Sequence, residues 1–351
     1  MLRAPGGKTR IIRASILPGQ PSMVYDPHAM ERKVETRVGS EEAGIPLLDW
    51  LVRRFTYLDQ AGWEREITAC RITIDDRIAS ASQQLAAGER VTFHPVDRGE
   101  PEVDGNFRII HDDGAFLVVD KPSNLPMHPG GRYFNNTLWA LLRSGYGHLH
   151  ALTRLDRETS GLVLLARPGP AQTQGQILLD SGALAKEYLV IVHGVFPESC
   201  NAKGFLVRDE ASAVRKKRRF IPIAAMEDES DAKRENAETD FTLLSSVVHP
   251  RKGPLSLLRA MPRTGRNHQI RATLSSLGFP LLGDKLYGID EQLFIRLVEG
   301  SLDESDRQML VLPSQALHSE SLTLIDLQGR SRQFRLPPPV AWTSTGFGPL
   351  P

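Results

Sequence analysis

Cysteine is nearly absent: Cys70 and Cys200 stand far apart in a chain of 351 residues. Two thiols cannot supply the usual structural zinc set, and they do not make a disulfide scaffold. A reducing compartment is expected, and with it a cytoplasmic location. Long apolar runs are missing too. None approaches the roughly 18 residues of a membrane helix, so no membrane partner is expected. The ten histidines show no HExxH or other paired spacing, and no metal is expected. A Gly-rich dinucleotide loop is lacking as well. The formal net charge is only +1, so affinity for nucleic acid has to come from local clusters of Lys and Arg. No internal repeat or low-complexity tract occurs.

What is present is ordinary for a globular protein, with 40% hydrophobic and 24% charged residues. The length suits two domains, or one large domain with an appendage. The most informative stretch is Thr153-Arg154-Leu155-Asp156-Arg157-Glu158-Thr159-Ser160-Gly161, with the apolar run Leu162 to Ala166 behind it. The run reads as a short buried strand. Asp156 lies between two guanidinium groups, and a nearby opposite charge favours the ionised carboxylate. An ionised Asp in a loop against a rigid strand can serve as a nucleophile, or it can be a plain salt bridge. Chemistry alone leaves both readings open.

Further along, Leu255 to Met261 reads as a strand feeding Arg263-Thr264-Gly265-Arg266-Asn267-His268-Gln269-Ile270-Arg271. Ile270, Leu274 and Leu277 share one helical face, and Gly278 is placed as the stop signal. Gly283-Asp284 and Tyr287-Gly288 close the block. Upstream, Lys186 to Val192 is a clear strand with Tyr188 near its start, and a strand from Ala115 to Val119 runs into Asp120-Lys121-Pro122. Taken together, Arg-Leu-Asp with Thr-Ser-Gly, Lys-x-Tyr, Thr-Gly-Arg-x-His-Gln-Ile-Arg and Gly-Asp-x-x-Tyr-Gly resemble the RluA-type pseudouridine synthases. The likeness is dense over about residues 107 to 342. Two positions depart from the family pattern: Thr153 and Thr273 stand where His is common.

That resemblance implies an isomerase converting uridine to pseudouridine in RNA, with Asp156 as nucleophile and Arg271 paired to it. It implies that Tyr188 stacks on the uracil and lends its hydroxyl to proton movement at C5. Arg154 would fill the space left by a flipped base, and Leu155, Lys121, Thr159, Gly161, Arg266, His268, Gln269 and Ile270 would bind substrate. Nothing leaves and nothing is oxidised, in keeping with no cofactor. Two rival classes remain. A glycoside hydrolase needs a second carboxylate, for which Glu158 is nearest, and a non-catalytic RNA-binding or assembly protein would fit the two replaced histidines.

The expected fold is α+β: a mixed, mainly antiparallel sheet with flanking helices, preceded by a small N-terminal α+β domain. Residues 1–33 read as a flexible basic arm (Arg3, Lys8, Arg10, Arg13) or as an Arg-rich targeting peptide, and Pro5, Gly6 and Gly7 favour the arm. Residues 34–96 give two short helices, around Leu47, Leu48, Leu51 and Phe55 and then Trp63 and Ile67, followed by short strands. This pattern resembles the small RNA-binding module of one small-subunit ribosomal protein. Residues 97–106 read as a linker, 107–342 as the catalytic domain and 343–351 as a tail. The densest basic run, Arg215-Lys216-Lys217-Arg218-Arg219, is expected to contact RNA phosphates. The expected partner is RNA, ribosomal rather than transfer, and a monomer is expected.

Overall fold

The computed structural model describes residues 33–55, 58–95, 99–225 and 234–347. The basic arm at 1–32, most of the polar loop after Ala225 and the last four residues lie outside the described residues. The chain divides into two compact units. Among the described residues, the first holds 33–102 with 128–140, and the second holds 103–127 with 141–347. The division falls inside the expected linker, but residues 128–140, expected within the catalytic domain, cluster with the first unit.

In the first unit, the helices Leu47–Arg54 and Gln60–Thr68 accompany a four-stranded antiparallel sheet. Its order is Val34–Arg37, Arg90–Phe93, Ile72–Ile74, Arg77–Ile78. Asp59 caps the second helix by accepting the Gly62 N–H at 2.7 Å, which ends the unpaired state of one N-terminal donor. Trp50, Trp63, Leu47, Leu51 and Ile72 fill the core, and Trp63 Nε1 donates to the Phe55 carbonyl at 3.1 Å. The linker is no loose tether at Glu100. Its carboxylate accepts the N–H groups of Phe134, Asn135 and Asn136 at 2.7–2.8 Å.

The second unit is built on an eleven-stranded sheet. Nine strands form a path from Arg218–Pro222 through Ser199–Arg208, Glu235–His249, Gly253–Pro262, Ala185–His193, Leu317–Ile325, Ser160–Ala166 and Phe116–Lys121 to Arg108–Asp112. All neighbours on the path are antiparallel except Leu317–Ile325 and Ser160–Ala166, which pair in parallel at His318↔Ser160 and Ser319↔Gly161. The fold class expected from the sequence is therefore observed. The Ser160–Ala166 strand is buried along its whole length, as its unbroken apolar run demands. Leu162 and Leu164 pack with Phe116 and Val118 in one core, while Leu189, Ile191, Leu255 and Leu257 anchor another. Each such side chain contributes about 1.5–3 kcal/mol by leaving water.

The parallel step matters for the site. Gly161 has φ +107°, and a Cβ there would stand 2.3 Å from the Ser319 carbonyl oxygen. Only glycine lets the two strands approach this closely. At the other end of the chain the expected tail is a correction. Phe347 is buried in the core with Leu189, Leu255 and Trp342, and Thr345 is fully enclosed. The helices Gln292–Glu299 and Glu304–Leu310 were not foreseen. No helix among the described residues is long and apolar enough to cross a membrane.

Candidate active site

The Asp156 loop is held from several directions. Its turn closes with the Thr159 N–H on the Asp156 carbonyl at 3.1 Å, and the Leu125 N–H reaches the Arg157 carbonyl at 3.1 Å. Lys121 is enclosed beneath it and donates to the carbonyls of Pro122, Leu125 and Arg157 at 2.8, 2.9 and 3.2 Å. Burial pulls the Lys121 ammonium down to about 7, against the attraction of Asp156. All three contacts are to backbone, so the expectation that Lys121 binds substrate is corrected: it clasps the loop. Thr159 is likewise buried and accepts from Gln315 Nε2 at 2.6 Å. Thr153 uses its hydroxyl to accept the Leu164 N–H at 2.8 Å, so the position where His is common serves strand packing here.

The loop presents Asp156 to Arg271, the third residue of the helix Gln269–Ser276. Arg271 Nη1 lies 2.5 Å from Asp156 Oδ2. The rest of its fork is taken by Asp284, Nε to Oδ2 at 2.6 Å and Nη2 to Oδ1 at 2.9 Å. Asp284 Oδ1 also accepts the N–H groups of Leu286 and Tyr287, each at 2.9 Å. Tyr287 supports the guanidinium, with its ring centroid 4.8 Å from Cζ. Side-chain exposure runs from 0% at Asp284 through 9% at Arg271 to 23% at Asp156. Of the two carboxylates, only Asp156 can meet a substrate.

Charge follows from this geometry. Burial by itself raises a carboxylate, but the Arg271 guanidinium, His268 and hydrogen bonds from Arg271 and Gln315 overcome it and hold Asp156 below its ordinary range. Asp284 is held below its ordinary range in the same way, by Arg271 and the backbone N–H groups of Tyr287 and Leu286. Arg271 is stabilised as a cation by both. The flanking arginines expected to ionise Asp156 are a correction. Arg157 turns to Glu158 at 3.0 Å, while Arg154 is exposed and has no hydrogen-bond or ion-pair partner among the described residues. A cation over a hundred residues away does the work assigned to neighbours.

Tyr188 joins the site from the Ala185–His193 strand, opposite Ser319. Burial raises its hydroxyl to about 12, with a hydrogen bond from Ser319 opposing and Asp156 assisting. Such a phenol is neutral at ordinary pH, with its ring and its O–H both beside Asp156. His268 lies 3.8 Å from Asp156, Nε2 to Oδ1. Four other expected substrate contacts are packing groups. Gly161 is the close strand approach, and Leu155 and Ile270 are buried apolar side chains. Gln269 ties the helix start to Thr264, Thr239 and the Glu238 carbonyl. Arg266 is exposed, with Nε on the Asn236 carbonyl at 3.2 Å.

The basic run does not form one uniform face. Lys217 is engaged by Glu291 at 2.8 Å and Arg218 by Glu235 at 3.6 Å. Lys216 lies over the Phe294 ring at 4.5 Å and feels the charges of Arg271, Arg157, Asp156 and Glu158. Arg215 and Arg219 are exposed. Glu158, the second carboxylate a hydrolase would need, is occupied by Lys285 at 2.7 Å and by Arg157. Among the described residues no group of three His, Cys, Asp or Glu is placed to hold a metal ion.

Sequence reasoning missed Asp284, Tyr287, Gln315 and Ser319. Asp284 and Tyr287 stood in a quoted motif without a role. An acid directly after the apolar Phe279–Gly283 segment was the available signal, since such a charge needs a buried partner. Gln315 and Ser319 carried no local signal at all.

A model of the RNA pseudouridylate synthase family matches residues 115–276. The chain is 34% identical over 248 residues to the mitochondrial tRNA pseudouridine(32) synthase of Saccharomyces cerevisiae, covering 70% of this chain and 51% of that protein. It thus spans about half the length of that relative. It is 27% identical over 313 residues to the ribosomal large subunit pseudouridine synthase D of Nitrosomonas europaea, covering 84% of this chain and 81% of that protein. Among solved structures, human RNA pseudouridylate synthase domain containing 4 matches with TM-score 0.51 and 26% identity, over 68% of this chain and 90% of that one.

Proposed function

The chain belongs to the RluA-type RNA pseudouridylate synthase family, and from that premise we propose that it isomerises specific uridines in RNA to pseudouridine. Asp156 is the nucleophile. The observation that carries this reading is the chain Asp156–Arg271–Asp284, which leaves one ionised, partly exposed carboxylate on a rigid loop. In the reaction the bond from N1 to C1′ breaks, the base turns, and C5 bonds to C1′. The C5 proton is released and N1 takes one up, so atoms balance without a cofactor. Asp156 holds the detached partner while the base turns, and the Tyr188 ring packs against the uracil.

A stacked uridine is out of reach, so the base is flipped at a cost of a few kcal/mol. Arg154, exposed and unpaired among the described residues, is free to enter the vacated stack. Exposed Arg219 and Arg215 supply phosphate affinity. A reducing, cytoplasmic setting belongs to the same proposal.

We take ribosomal RNA as the substrate. The alignment with the ribosomal large-subunit enzyme covers 84% of this chain, too much for residues 103–351 alone, so it reaches into the small first unit. The second reading is transfer RNA, favoured by the higher identity to the yeast protein. Both are decided by one experiment: tritium release from unmodified ribosomal and transfer RNA transcripts labelled at C5 of uridine. Release from ribosomal RNA alone is expected. Release from transfer RNA alone makes the second reading right, and free uracil in the supernatant would return the hydrolase.

A further inference from the structure

His268 faces Asp156 from the start of the neighbouring helix. It sits at the N-cap of the helix Gln269–Ser276 with φ +58°, a left-handed conformation that persists in a bulky residue only where the surroundings impose it. Its Nδ1 is 2.9 Å from the Tyr287 hydroxyl, and the two rings meet edge to face at 5.4 Å. The Tyr287 oxygen already accepts the backbone N–H of Arg218 at 3.0 Å. A phenol oxygen has one proton and accepts close to the ring plane. With the Arg218 N–H taking one acceptor position, the phenol proton can point at His268 Nδ1.

Tyr287 keeps that proton, because burial raises its hydroxyl above the ordinary range. His268 stays neutral, pushed down to about 4 by burial, with Arg271 and Lys216 assisting and Asp156 and Asp284 opposing. A neutral ring that accepts at Nδ1 carries its proton on Nε2. Nε2 stands 3.8 Å from Asp156 Oδ1, beyond hydrogen-bond distance. It has no other partner among the described residues. The N–H is therefore available beside the nucleophile.

We propose that His268 meets the reacting nucleotide as a neutral donor, its Nε2–H bonding the uracil carbonyl that gains charge, with Tyr287 as the positioning residue that fixes the tautomer. This rests on the pseudouridine reading. When the N1–C1′ bond breaks, its electron pair passes to the uracil and spreads onto the carbonyl oxygens, while a carboxylate oxygen of Asp156 bonds C1′. A fixed donor at the developing charge lowers that barrier without reorganising. An imidazolium would instead pair with Asp156 and quench it, so neutrality is part of the device.

The test has two arms on the full chain. NMR of protein labelled with 15N-histidine reads the tautomer, with His268→Gln identifying the signal. The wild type should show a bare Nδ1 and protonated Nε2 from pH 6 to 8, and Tyr287→Phe should shift the ring towards Nδ1–H. Single-turnover conversion of C5-tritiated ribosomal and transfer RNA reads the chemistry. His268→Ala should slow it about 100-fold with little change in RNA affinity. His268→Gln, which keeps an N–H near the Nε2 position, should recover much of that, and Tyr287→Phe should fall between in rate. An Nδ1–H tautomer in an active wild type overturns the proposal alone, as does a His268→Ala loss confined to affinity. A wild type with the expected tautomer that binds RNA yet releases no tritium overturns the pseudouridine reading and the donor role with it.

Discussion

Replacing Asp284 by Asn tests the least visible part of the site. Asp284 has no exposed side-chain surface and accepts two bonds from the Arg271 fork and two from backbone N–H groups. The amide oxygen of Asn can still serve Leu286 and Tyr287, so the turn should survive. What is lost is the anion facing a guanidinium that is only 9% exposed. Breaking a buried pair from one side costs about 3–5 kcal/mol. For a unit of this size each kcal/mol lowers Tm by about 2–4 °C, so a fall of about 6–20 °C is expected at pH 7 by circular dichroism. The acid limb of stability should change as well. Asp156 and Asp284 are held below their ordinary values. Their contribution is therefore full above the unfolded value near ~4 and is lost as the pH falls through the depressed folded values. Asp284→Asn should melt with a shallower loss in that window. Adding Arg271→Met should cost less than the sum of the two single changes, because both act on one pair. A Tm drop under about 2 °C, or strict additivity, would show that Asp284 does not hold the arginine.

The same geometry fixes three further outcomes. Arg271→Met removes the cation that holds Asp156 ionised, so Asp156 should titrate higher and turnover should fall more at acid than at alkaline pH, read as a pH–rate profile; an unchanged acid limb makes Arg271 a ligand of RNA instead. Lys121→Met leaves the carbonyls of Pro122, Leu125 and Arg157 short of a donor, at roughly 1–3 kcal/mol for each one left unsatisfied, and should loosen the Asp156 loop; a variant with wild-type Tm and turnover removes the clasp from the account. In the basic run, Arg219→Gln should flatten the slope of log affinity against log salt by about 1. Lys217→Gln, already engaged by Glu291, should leave the slope alone, and a reversed order would mean that the ion pair opens on binding.

Much of the catalytic unit was legible because its signals are local. The run Leu162 to Ala166 reads as a buried strand and is one, and Gly278, with φ +86°, follows the helix carrying Arg271 as its position promises. Asp156 and Arg271 were named from their motifs and are 2.5 Å apart. What failed did so for a common reason. Proximity in sequence was taken for proximity in space when Arg154 and Arg157 were set around Asp156, whereas the turn at Asp156–Thr159 sends them elsewhere. Membership of a motif does not mean contact with substrate: Lys121, Thr159, Gly161, Gln269 and Ile270 hold the loop and the helix start in place. Ser319 and Gln315 were invisible, since only the parallel pairing beside Gly161 and the loop at Thr159 bring them in. Thr345 and Phe347 lie in an end that reads as a tail, and only the tertiary core shows that they close it.

The central claim is that the Asp156 carboxylate does the chemistry. Asp156→Asn keeps the shape and removes the charge, and the wild type and the variant can be compared for tritium release and for RNA binding on the same ribosomal and transfer RNA transcripts. Release by the wild type, none above background by Asp156→Asn, and retained RNA binding by the variant are expected. Wild-type release by a folded Asp156→Asn protein would contradict the claim.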